Sequence, residues 1–157
     1  MICAIMQPTY FPWIGYFDLI DQVDKFIFLD NVKLEKSTWQ VRNRIKSANG
    51  EILFTIPIKM EKGRMKTNIH TAEINQQHNW KKKHLKSINY SYKKSEFYNE
   101  VYPFIENLFM QEYRLLNEWN IYLIKSICKE LNIDTQIYIA SKLNNIKGTK
   151  DTRLVSI

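Results

Sequence analysis

The first apolar block of the chain, residues 2–6, has the length of a buried strand. Residues 7–15 break it with Pro8, Pro12 and Gly15, which places a loop at the strand's end. Phe17, Leu19, Ile20 and Val23 then take helical spacing. Residues 25–29 form a second apolar block, closed by Asp30-Asn31. Strand, loop, helix, strand predicts a βαβ unit, with a right-handed crossover if the strands are parallel. Ligands of such units bind beyond the carboxyl ends of the strands, where residues 7–13 and 30–36 fall. Residues 52–58 are rich in β-formers and follow an Asn49-Gly50 turn signal. A further strand is expected over 68–74, with a polar, exposed loop over 59–67. Residues 78–89 predict a helix carrying Trp80, His84, Leu85 and Ile88 near one face. Residues 97–110 predict another, interrupted or restarted at Pro103. Leu116, Trp119, Leu123, Ile127 and Leu131 give the clearest amphipathic helix, with Asn132 as its stop. Residues 136–140 predict a last strand. A helix start follows, capped by Thr149 or Asp151, and its stripe of Leu154, Val155 and Ile157 has no closing signal. The expected class is α/β: a Rossmann-like βαβ start, a mixed sheet and a helical second half.

Composition narrows this reading. The 157 residues suit one domain over 1–157, and 45% hydrophobic content argues for a packed globule. Cys3 and Cys128 lack CxxC spacing, so both are expected in the core of a protein from a reducing compartment. No basic leader and no apolar run of about 18 residues is present, so a cytoplasmic protein without a membrane span is expected. The net charge of +7 favours anionic partners. Much of the excess lies in Trp80-Lys81-Lys82-Lys83-His84 with Lys86, Lys93 and Lys94, which reads as a solvated helix face. His70 and His78 have no metal-ligand spacing, so no metal site is expected. GxSxG, P-loop and GxGxxG motifs are absent, and no cofactor is specified.

Two segments carry the candidate chemistry. In the first, Gln7-Pro8-Thr9-Tyr10-Phe11-Pro12-Trp13-Ile14-Gly15-Tyr16-Phe17, prolines and a glycine stiffen a ring-lined turn. Tyr10 and Trp13 would stack a flat ligand while Gln7 bonds its polar edge; equally, the rings would simply pack into the core. In the second, Asp30 ends a strand and Lys36, Trp39, Arg42, Asn43 and Arg44 follow. Guanidinium groups grip phosphate or carboxylate through paired hydrogen bonds. The bland alternative is a set of exposed ion pairs worth about 0–1 kcal/mol each. Burial of Asp30 and Arg42 separates the two, because burying charge costs several kcal/mol.

The two segments together, with Phe28-Leu-Asp-Asn-Val32 and Trp39-Gln-Val-Arg-Asn-Arg-Ile45, resemble the N-terminal signature of the WbqC-like proteins of surface-polysaccharide gene clusters. The resemblance continues more weakly through Leu53-Phe54-Thr55-Ile56-Pro57, Trp80 with Lys83-His84, and Lys150-Asp151-Thr152-Arg153-Leu154. Family members commonly carry a second Asp where Asn31 stands, and they continue past the Arg153-Leu154 segment. The resemblance thus implies a single domain that lacks the family's C-terminal part. It also implies an enzyme of O-antigen-type glycan synthesis that attaches an acyl or aminoacyl group to an amino sugar. Asp30 or His84 would then be the base. Gln7, Arg42 and Asn43 would be donors or clamps, and Lys36, Arg42 and Arg44 would suit the diphosphate of a nucleotide-sugar.

Two other classes compete. A nucleic-acid-binding module is motivated by the charge and the lysine run, but no nucleic-acid motif supports it. A non-catalytic partner subunit, docking a carrier protein of a glycan-synthesis complex, would leave Asp30 without a substrate-sized cavity. The enzyme reading requires Gln7, Tyr10, Asp30, Arg42 and Asn43 to converge.

Overall fold

The computed structural model describes residues 1–35, 38–59 and 67–143. Strand β1 (Cys3–Met6), helix α1 (Ile14–Asp21) and strand β2 (Lys25–Phe28) form the expected opening unit. A hairpin follows, β3 (Arg42–Ser47) and β4 (Gly50–Thr55), in which Gly50 takes the positive φ of 111° that closes the turn. Helices α2 (Trp80–Tyr92), α3 (Tyr98–Met110) and α4 (Leu116–Glu130) precede the last strand, β5 (Gln136–Ile139). β1, β2 and β5 make a parallel sheet in the order β1-β2-β5, separate from the antiparallel β3–β4 pair.

Helix α4 joins two hydrophobic clusters. Leu116, Trp119 and Leu123 enter the first, with Tyr10, Val41, Phe54, Trp80 and Phe109. Ile121, Ile124 and Cys128 enter the second, with Tyr16, Ile20, Phe26 and Phe28. Each large side chain so buried stabilises the fold by about 1.5–3 kcal/mol. The helix ends where the sequence places its stop. Asn132 has a left-handed φ of 57°, its N–H bonds the Lys129 carbonyl, and Ile133 N–H bonds that of Cys128. That pair of bonds is a Schellman cap, with asparagine in the position glycine usually takes.

The structure corrects several expectations. Among the described residues β2 is the one sheet neighbour of β1, which is only partly covered, and Cys3 is exposed. Residues 68–74 form no strand. Ile69, Ala72 and Ile74 are all buried, which no alternating strand allows, and the chain turns through a 3-10 helix at Ile69–Thr71 between isolated bridges. Helix α3 runs unbroken through Pro103. The ring withholds one donor, from the Asn99 carbonyl, and Asn99 is exposed, so water can take that bond. Lys81 leaves the solvated face: its ammonium lies 4.8 Å over the Trp119 ring and 3.2 Å from Glu112. The expected loop over 59–67 falls mostly, and the helix start with Thr149 or Asp151 entirely, outside the described residues. Among the described residues no helix is long and apolar enough to cross a membrane.

Candidate functional site

The three parallel strands end level with one another, Met6 beside Phe28 and Phe28 beside Ile139. Gln7, Asp30 and Ser141 therefore leave the same edge of the sheet. Asp30 is fully buried. Its Oδ1 accepts the Ser141 backbone N–H at 2.8 Å. Its Oδ2 accepts the Ser141 hydroxyl at 2.6 Å and the Asn117 amide, reaching in from α4, at 3.1 Å. Among the described residues no cation pairs with it, so these three donors replace the water it has lost. The Asp30 carbonyl accepts the His70 backbone N–H at 3.0 Å and lies 3.2 Å from His70 Nδ1. A carbonyl only accepts, so this bond selects the tautomer with hydrogen on Nδ1 and leaves Nε2 as the basic nitrogen.

The proline-and-ring loop is fastened to the segment after residue 37. Tyr10 N–H donates to the Trp39 carbonyl at 2.9 Å. The Asn43 amide donates to the carbonyls of Tyr10, at 3.0 Å, and Phe11, which helps hold Phe11 at its left-handed φ of 46°. Gln40 donates to the Gln7 side chain. Asn120 of α4 ties both pieces together, donating to the Pro8 carbonyl at 3.1 Å and the Gln40 carbonyl at 2.8 Å. Tyr10 is itself fully buried, its hydroxyl 2.9 Å from His84 Nδ1. His84 stacks on Phe54 with centroids 4.2 Å apart, and burial lowers its pKa to about 4, so the ring is neutral at pH 7.

The remaining candidates lie nearer the surface. Trp13 is exposed and folded across Gly15, where a β-carbon would sit 2.0 Å from the indole. Trp39 is half-exposed, with the Arg44 guanidinium 5.6 Å from its ring, and Arg44 pairs with Glu51 at 2.9 Å. Arg42 is half-buried and has no carboxylate partner among the described residues, Asp30 included. Lys36 lies outside the described residues.

Among the described residues, three hollows bear on these groups. A cleft of about 620 Å³ is lined by His70, Asn117 and Ser141, the groups bonded to Asp30, together with Tyr122 and lysines of α4. An apolar groove of about 600 Å³ between the hairpin and α3 takes in Phe11, Asn43 and Arg44. A smaller hollow of about 420 Å³ holds His84 with His78 and Lys83. The ring loop and the 38–43 segment are thus brought together, but the five residues expected to converge share none of these three hollows: the side chains bonded to Asp30 line the first, Asn43 the second, and His84 the third. Among the described residues no group of three or more His, Cys, Asp or Glu is placed to hold a metal.

Sequence reasoning weighed His70 only as a metal ligand and gave no role to Gln40, Asn117, Asn120 or Ser141. Asn117 and Asn120 left a trace: two amides three residues apart inside the clearest amphipathic helix of the sequence. Buried amides of that kind are kept where they have partners.

Comparison with known proteins bears on the same residues. The uncharacterized protein Rv1507c of Mycobacterium tuberculosis is 34% identical over 135 residues, which cover 85% of this chain and 58% of that protein. The chain therefore spans little more than half the length of this relative. No solved structure matches it. The model of the WbqC-like protein family matches residues 7–157, from Gln7 through the Asp30 cluster and α4 to the end of the sequence. The chain belongs to the WbqC-like protein family.

Proposed function

We propose that this chain acts in surface-glycan biosynthesis of the O-antigen type, as an enzyme that transfers an acyl or aminoacyl group to an amino sugar, free or nucleotide-linked. One observation carries the reading: a carboxylate buried beyond the ends of three parallel strands, bonded to side chains that wall a ligand-sized cleft. Burying that charge opposes folding by several kcal/mol before its hydrogen bonds are counted, which favours a role besides stability. Clefts of about 300–1,000 Å³ hold small ligands, and this edge of a parallel sheet is where they bind.

In the reaction the sugar amine attacks the acyl carbonyl carbon, a C–N bond forms and the bond to the donor's leaving group breaks. The amine proton passes to a base and then to the leaving group. Asp30 has its carboxylate oxygens engaged by Ser141 and Asn117, so it acts as a positioning residue. His70 Nε2 is the base suited to this cleft, since its other nitrogen is held by the Asp30 carbonyl. His84 is a weaker choice, because its ring is enclosed by Phe54, Trp80 and Tyr10 in another hollow. The nucleic-acid alternative loses support from Lys81, which is committed to Trp119 and Glu112.

The test is a mass-spectrometric transfer assay with the full-length protein, amino-sugar acceptors, and thioester and aminoacyl donors. The expected product is the acceptor plus one acyl group. Asp30→Asn should lower kcat about a hundredfold while the protein still melts cooperatively. No transfer with any donor, or full turnover by Asp30→Asn, would overturn the proposal.

A further inference from the structure

The cleft beside Asp30 has a charge pattern that the proposed reaction does not use. Lys125 and Lys129 stand one turn apart on α4 and present their ammonium groups to the same side. Lys142, in the turn after β5, adds a third. Glu118 is the one carboxylate among the lining residues. None of the three lysines has an ion-pair partner among the described residues, whereas Lys59, Lys81, Arg44 and Arg114 all do. The Ser126 and Tyr122 hydroxyls add neutral donors.

We infer that this cleft binds the phosphate groups of its ligand, a diphosphate such as that of a nucleotide-linked sugar, through Lys125, Lys129 and Lys142. The inference rests on the transfer reading above and names its substrate class. Ammonium groups act as point charges and hold a multiply charged phosphate without the planar match a carboxylate finds in arginine. A diphosphate would fill only part of 620 Å³, leaving room for the sugar. The buried Oδ1 of Asn117 has no partner among the described residues, an unmet acceptor in the lining of the cleft. Phosphate recognition thereby moves from Arg44, which is spent on Glu51, to the opposite side of α4 from the ring loop.

The experiment titrates inorganic pyrophosphate into the full-length protein by calorimetry. The variants are Lys125→Ala/Lys129→Ala and, as a charge-matched control, Lys82→Ala/Lys86→Ala on the exposed face of α2. All four residues are exposed, so the fold should survive in both. Saturable binding that falls more than about tenfold in the first pair and stays within about twofold in the second supports the site. No saturable binding by the parent protein, or equal losses in both pairs, overturns it. A protein that acylates a phosphate-free amino sugar but ignores pyrophosphate sinks this inference alone. Pyrophosphate binding without transfer to any acceptor sinks the reaction alone.

Discussion

At the scale of single residues, amides do work that the charged candidates leave undone. Asn120 satisfies two carbonyls of different loops from one nitrogen. Asn120→Ala strands both in the interior and should destabilise the protein by about 1–3 kcal/mol, read from urea unfolding. His84 gives a pH signature. Its folded pKa, about 4, lies below the usual histidine value of 6.5 because the buried ring resists charging. Between those values the unfolded chain binds the extra proton, so the contribution is complete above pH 6.5 and is lost as pH falls toward 4. His84→Phe should flatten the fall in melting temperature between pH 6.5 and 5; an unchanged slope would contradict the assignment. The cysteines divide as sharply. Cys3 is exposed and should react with a thiol reagent in the folded state. Burial raises the Cys128 pKa to about 11, so that thiol should react only on unfolding.

At the scale of elements, α4 organises the site. Its alternating commitments place apolar side chains in two clusters and Asn117 and Asn120 against the loops that follow β2 and β1. Its end is tunable: Asn132 holds a left-handed φ that glycine adopts without penalty. Asn132→Gly should therefore leave stability unchanged or raise it by up to about 1 kcal/mol, whereas Asn132→Val should lower it by about 1 kcal/mol or more. Thermal unfolding of the pair gives the comparison. The period of three and four residues predicts α4 well, since a helix with so much apolar surface has few alternatives. The segment over 68–74 was misleading because β-favouring isoleucines there serve a turn with three inward positions, a choice made by tertiary packing.

At the scale of the molecule, the two clusters meet along one helix, so they should melt together. Intrinsic fluorescence, to which Trp80 and Trp119 of the first cluster contribute, and the reactivity of Cys128 in the second should give coincident denaturation midpoints. Separate midpoints would mean that α4 does not couple them. The parallel sheet brings three chain segments to one edge, Gln7 and Asp30 from the start and Ser141 from beyond α4.

The amino-acid order alone determined the opening βαβ unit, the Asn49-Gly50 turn with a β-segment after it, and α4 with its asparagine stop, whereas β3, a polar strand with no apolar run of its own, came to light only through its pairing with β4. The first three follow from local spacing and turn chemistry, which act over a few residues. The partners of Asp30 were settled only by tertiary structure, since Asn117 and Ser141 are distant in sequence and β5 pairs with β2 across most of the chain. Folding likewise decided that Tyr10 and His84 face each other in the interior and that Lys125, Lys129 and Lys142 share a cleft. Burial and electrostatic surroundings are properties of the packed chain, and no window of sequence contains them.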